Sequence, residues 1–187
     1  MDTAGLLLEL AESRAPTLGG ARLVCIDGPA GSGKTTLAAA VAAARPGTPV
    51  VHMDDLYDGW EGLPRLVDQL AGLLRPLAAG RRGSYRRYDW HAGRYAETVT
   101  VGAAPLVVLE GVGCGARAHA DLVTLLVWVH APADLRLRRG LERDGVALEG
   151  RWRQWMTDEA VHHVLEGTEE RADLLVDGTG VEPPQVR

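Results

Sequence analysis

The chain contains no phenylalanine and no asparagine, one isoleucine (Ile26) and one lysine (Lys34). These residues have AT-rich codons, so their scarcity is the pattern expected of a GC-rich genome. Cysteine is limited to Cys25 and Cys114, whose separation has no metal-site spacing, which excludes a disulfide scaffold or a zinc module. No apolar run approaches the eighteen or so residues of a membrane span. No basic-plus-apolar leader opens the chain, so a cytoplasmic protein without a membrane partner is expected. The net charge of −5 weighs against a nucleic-acid partner. At 187 residues and 46% hydrophobic content, the chain is long enough to bury one core.

The lone lysine lies within Gly28-Pro29-Ala30-Gly31-Ser32-Gly33-Lys34-Thr35, which fits the pattern GxxxxGK[ST]. Glycines let successive N–H groups turn inward around a phosphate, and a following helix directs its positive end at the same point. Every other basic residue is arginine, so the single ammonium occupies the one position that needs a compact charge. The apolar run 22–27 reads as a strand and 35–44 as an Ala-rich helix, which is the context the motif requires. Residues Gly28 to Thr36 are therefore the expected nucleotide-phosphate site. Thr35 has a hydroxyl suited to Mg²⁺.

Further strands are expected at 49–53, 106–109, 122–130 and 174–176. Helices are expected at 3–14, about 62–79, from 133, and around Trp152 to Ala160. Gly80–Arg87 reads as a basic loop, and Ala103-Ala104-Pro105 leads into the third strand. Near-continuous apolar strands alternating with helices indicate an α/β fold, a parallel sheet with helices on both faces. Residues 1–180 form the expected single domain around the phosphate loop, and 181–187 a loose tail.

In such a sheet, ligands bind at the carboxyl ends of the strands. Asp27 reads as a plain strand terminator. Asp54 and Asp55 follow the second strand, and Asp54 is suited to accept a proton from an attacking hydroxyl. Glu110 ends the third strand and is suited to hold Mg²⁺. Arg136, Arg139 and Arg143 recur at three and four residues, so they share a helix face and read as a lid bringing charge to a transferring phosphoryl group. His162 and His163 read as surface residues, and Trp152 and Trp155 as core or lid packing.

The order IDGPAGSGKTTLA, MDDLYDGW, RRYDWHAGRYAETVTV, VVLEGV, ADLRLRRGLERD resembles the uridine-cytidine kinases of the P-loop kinase superfamily. The resemblance implies an ATP- and Mg²⁺-dependent kinase acting on a small-molecule acceptor, with a pyrimidine nucleoside as the first candidate. It makes Asp54 the catalytic base and puts Asp55, Tyr57, Tyr88, His91 and Arg94 on the acceptor side. It makes Arg136, Arg139 and Arg143 lid residues, and Glu110 the acidic residue of the third strand. A nucleoside monophosphate, a sugar-like alcohol or a nucleoside-type natural product are the alternative acceptors. The chain departs from the family after Tyr57, reading Asp58-Gly59-Trp60-Glu61-Gly62 in place of an Asp-His-Pro-x-Ala-Phe-Asp stretch. A nucleotide-switch module is the non-enzyme alternative, and the absence of asparagine removes the N-K-x-D guanine signature from it.

Overall fold

The computed structural model describes residues 2–102 and 104–187, so Ala103 of the expected lead-in to the third strand lies outside the described residues. Strand β1 (Arg22–Asp27) is buried from its second residue onward and pairs in parallel with β5 (Leu106–Glu110) and β6 (Leu125–His130). Strand β2 (Val50–His52) adds beyond β5, and β7 (Leu174–Asp177) beyond β6. With the short antiparallel β8 (Gln185–Val186), the sheet order is β2-β5-β1-β6-β7-β8.

The strands are apolar throughout because both faces are covered. Val24, Ile26, Val108 and Val127 pack against α1 (Thr3–Glu12) and α2 (Lys34–Ala44). Leu23, Cys25, Leu109 and Trp128 face the other core, with α3 (Leu66–Ala78) and Trp155 of α5 (Glu149–Glu166). Helix α4 (Ala133–Asp144) follows β6, and the short α6 (Thr168–Arg171) precedes β7. No described helix is long and apolar enough to cross a membrane.

Three sequence expectations change. Gly80–Arg87 is loop only up to Arg82: β3 (Gly83–Asp89) and β4 (Arg94–Val101) form an antiparallel hairpin outside the main sheet. Its two-residue period was hidden because Arg86 and Arg87 stand side by side where the register shifts, between Arg86 and Tyr88; Tyr85 is buried while Ser84 and Arg86 are exposed. The tail is not loose. Val186 pairs with Leu174, the Arg187 N–H donates to Asp173 O (2.9 Å), and its guanidinium donates to Glu169 O (2.7 Å). These are mainly backbone bonds on an open sheet edge, which leave no side-chain pattern to read. His163 is not on the surface either, as the next contacts show.

Asp27, at the end of β1, is fully buried and accepts N–H groups from Gly28 (2.7 Å), Gly113 (2.9 Å) and Gly115 (2.9 Å). His163 Nε2 of α5 donates to the same carboxylate (3.2 Å). Burial alone would raise this carboxyl's pKa, but the His163 hydrogen bond and charge, with the Gly115 and Gly28 amides, hold it below its ordinary value. The folded pKa therefore lies below the unfolded one. The stabilisation is complete above the unfolded value of about 4 and is lost as pH falls through the folded value. Asp27→Asn should lower unfolding free energy at neutral pH by roughly 1–3 kcal/mol, since one buried amide or the imidazole loses its acceptor. Urea melts should show this difference shrinking in acid; a difference that grew would contradict the assignment.

Candidate active site

The loop between β1 and α2 is built by glycines at positive φ, and Gly31 (φ 78°) shows why no other residue fits. A Cβ there would sit 2.7 Å from the Arg136 carbonyl oxygen, because the first turn of α4 packs directly on the loop. At the N-cap of α2, Gly33 makes no side-chain capping bond. The loop's N–H groups divide into two sets. Those of Gly28, Ala30 and Ser32 are engaged by Asp27 Oδ1, Glu159 Oε2 and Pro29 O. Among the described residues, those of Gly31, Gly33, Lys34, Thr35 and Thr36 have no protein acceptor, which is the donor set an anion at a helix N-terminus requires. Lys34 Nζ arches back to Pro29 O (2.9 Å).

A cleft of about 1230 Å³ runs across this loop, and the strand order divides it. β7 lies on one side of β1, and the segment Asp177–Gly180 that follows it forms one wall with Asp2–Ala4 and the Leu37–Ala40 face of α2. β2 and β5 lie on the other side and bring in Asp54 and Glu110. Asp54 is open to the cleft yet crowded by protein around it. That crowding, then the Glu110 charge, raises its carboxyl above the ordinary range, against the opposing charges of Lys34 and Arg143. Glu110 is buried; its Oε1 accepts from the Thr35 hydroxyl (3.1 Å) and contacts His52 Nδ1 (2.6 Å). The Glu110 hydrogen bond raises the His52 pKa, against partial burial. A hydroxyl and a carboxylate already joined beside Lys34 are oxygen donors of the kind Mg²⁺ takes, so these residues fit that ion.

The Asp54 half of the cleft is walled by aromatic rings. Trp60 meets Trp90, Trp152 and Trp155 edge to face, with centroids at 5.7, 6.3 and 6.1 Å, and Tyr57 meets Trp155 at 5.0 Å. The β3–β4 turn supplies Trp90 and His91. Asp89 accepts the N–H groups of His91 and Ala92 (3.0 and 2.9 Å), and Trp90 Nε1 donates to the Asp54 carbonyl (2.8 Å). Trp152 reaches the cleft because Gly140 of α4 leaves room for it: a Cβ there would lie 2.4 Å from the indole. Its Nε1 donates to Asp144 (3.0 Å), which also pairs with Arg143 (2.8 Å).

The expected site residues separate accordingly. Lys34, Thr35, Thr36, Asp54, Tyr57, His91, Glu110, Arg139 and Arg143 line the cleft. Tyr57 is nearly inaccessible and donates to Val112 O, so it serves as wall. Four of the expected residues lie outside the lining. Asp55 turns to the hairpin and accepts from Tyr85 (3.3 Å). Tyr88 packs between Trp90 and Tyr95 (5.4 and 5.5 Å) outside the lining, because the ladder pairs it with Tyr95. Arg94 is exposed opposite Asp89. Arg136 leaves its two helix-mates: it donates to Glu159 (2.8 Å) and Ala30 O (3.2 Å) behind the loop, where the first turn of α4 packs on Gly31. Arg139 instead bridges Gly31 O (3.0 Å) and Gly178 O (3.2 Å). Neither Asp58, bound to Arg65 (2.7 Å), nor exposed Glu61 lines the cleft. Trp90 was the wall that sequence reasoning passed over; with no phenylalanine to fill a core, four of five tryptophans in one region was the available signal.

No curated protein matches the chain. Among solved structures it is similar to a protein described as a possible uridine kinase from Bacillus stearothermophilus, at 21% identity and TM-score 0.62, over 85% of this chain and 90% of that one. It is also similar to a protein described as a fructose transport system kinase from a Silicibacter species, at 23% identity and TM-score 0.63, over 94% and 98%. D-glycerate 3-kinase from Cryptococcus neoformans matches at 17% identity and TM-score 0.51, over 99% and 91%. These likenesses show the fold. The profile of the Phosphoribulokinase / Uridine kinase family matches residues 61–177, a stretch that begins beyond the phosphate loop and is therefore independent of it. With that match over more than half of its length, the chain belongs to the Phosphoribulokinase / Uridine kinase family and is a P-loop kinase.

Proposed function

We propose that the protein transfers the γ-phosphoryl group of ATP to a hydroxyl of a small alcohol that carries a planar ring, with a pyrimidine nucleoside as first candidate. The observation that carries this reading is the placement of Asp54 between the phosphate loop and the tryptophan-walled half of the cleft. The free amides of the loop and Lys34 would hold the triphosphate, and the nucleoside end of ATP would lie along Asp177–Gly180. With Thr35 and Glu110 as oxygen ligands, bound Mg²⁺ would neutralise charge on the β- and γ-phosphates. The acceptor hydroxyl attacks the γ-phosphorus, its proton passes to an Asp54 oxygen, and the β–γ bridging oxygen leaves on ADP. The raised Asp54 pKa makes its carboxylate a better base. Arg139 and Arg143 supply charge at the cleft.

The indole N–H groups of Trp90 and Trp152 are satisfied within the protein, so these residues offer the acceptor their rings. His91 at the cleft edge adds a hydrogen-bonding group. Because neither Asp58 nor Glu61 reaches the cleft, a nucleoside-type natural product or another ring-bearing alcohol is the second reading.

ADP release should be stimulated by uridine or cytidine more than by fructose or glycerate; a preference for either polar acceptor would overturn the ring assignment. Lys34→Ala and Lys34→Arg should both reduce turnover by about 10²-fold or more, since the guanidinium fork does not replace a point charge. Asp54→Asn should lower kcat by roughly 10²–10⁴-fold with little change in KM for ATP. Glu110→Gln should raise the Mg²⁺ concentration needed for activity. If Asp54→Asn altered only the Mg²⁺ requirement, the two roles would be exchanged.

A further inference from the structure

Helix α5 passes behind the phosphate loop, and Trp152, Trp155, Glu159 and His163 recur on one face of it at three- and four-residue steps. The first two wall the cleft, and His163 holds Asp27. Glu159 sits between them, 1% exposed, on the side of the loop away from the cleft. Its Oε2 accepts the Ala30 N–H at 2.8 Å, and its Oε1 accepts from Arg136 at 2.8 Å. The same Arg136 nitrogen donates to the Ala30 carbonyl oxygen at 3.2 Å, while Arg136 Nε is anchored on Ala131 O at 3.1 Å. The N–H and the C=O of Ala30 are thus held by two side chains that also hold each other.

We propose that Glu159 and Arg136 are positioning residues that set the phosphate loop for nucleotide binding. This rests on the nucleotide-binding reading of the loop above. Ala30 N–H is one of three loop amides engaged by the protein, and the free amides begin at the next residue. Arg136, holding the Ala30 carbonyl, fixes the plane of the Ala30–Gly31 peptide and so the direction in which the Gly31 N–H points, while Glu159, holding the Ala30 N–H, fixes the peptide before it. Glycine at 31, with its wide conformational range, gives the loop little resistance of its own to turning. A carboxylate excluded from water and paired with both a guanidinium and an amide supplies that resistance. The reading gives Arg136 a different task from Arg139 and Arg143: it acts on nucleotide affinity through the loop and does not touch the transferred phosphoryl group.

The test compares Glu159→Gln, Arg136→Met, the double variant and Arg136→Lys. Measured are the Kd for a non-hydrolysable ATP analogue, kcat, KM for ATP and for the acceptor, and Tm. Glu159→Gln keeps an oxygen for Ala30 N–H but turns an amide towards Arg136, and is the mildest change. Both single variants should raise the nucleotide Kd and the KM for ATP about tenfold, with a smaller loss in kcat and an unchanged acceptor KM. The double variant should be little worse than either single, because the two act as one unit. Arg136→Lys should recover part of the affinity. A loss of stability alone would leave the Kd of the folded fraction unchanged, and that result overturns the proposal. So does an Arg136→Met variant that loses kcat at unchanged nucleotide Kd, which would return Arg136 to the phosphoryl group. A wild-type protein that bound no ATP analogue would overturn the nucleotide reading itself, whereas normal wild-type binding with unaltered variants overturns the clamp alone.

Discussion

The rest of the site depends on one buried carboxylate. Asp27 joins the start of the phosphate loop, the glycine-rich turn after β5 and helix α5, three segments distant in sequence that meet at the carboxyl end of the central strand. A charge at 0% exposure is costly unless it is fully bonded, and here three amides and an imidazole satisfy it. Once those are in place, Glu110 follows at the neighbouring strand end within reach of Thr35, and α5 carries Trp152 and Trp155 to the Asp54 half of the cleft. The geometry is thus set by polar bonds inside an otherwise apolar frame, which is where such bonds are strongest.

The division of the cleft follows from topology. Because β1 is central, the segments after β2 and β5 reach the loop from one side and the turn after β7 from the other, while α5, which follows β6, returns to the Asp54 side. One half ends in glycines and short side chains at 177–180, which leave room along the loop. The other half is walled by four indoles, Trp60 meeting each of the other three edge to face, with Asp54 open to the same cleft.

Much of this was readable from sequence for identifiable reasons. The main strands were legible because burial on both faces leaves unbroken apolar runs, and the loop because its chemistry tolerates few alternatives at Gly31, Gly33 and Lys34. Asp54 and Glu110 were legible because they stop apolar strands where ligands collect. The hairpin was hidden by arginines that cross-link it, as Arg87 does with Glu97 (2.6 Å). His163 looked like a surface histidine because nothing local reveals a partner 136 positions earlier in the chain. Arg136, Arg139 and Arg143 share a helical period, yet their guanidiniums diverge; side-chain direction depends on neighbours such as Glu159 that spacing along α4 does not report.

The central claim is that the two halves of the cleft hold a phosphoryl donor and a hydroxyl acceptor on either side of Lys34 and Asp54. Following the label from γ-³²P-ATP tests it most directly. With a ring-bearing alcohol present, the label should leave ATP as a phosphomonoester of that alcohol. Label recovered only as inorganic phosphate, whichever acceptor is supplied, would contradict it.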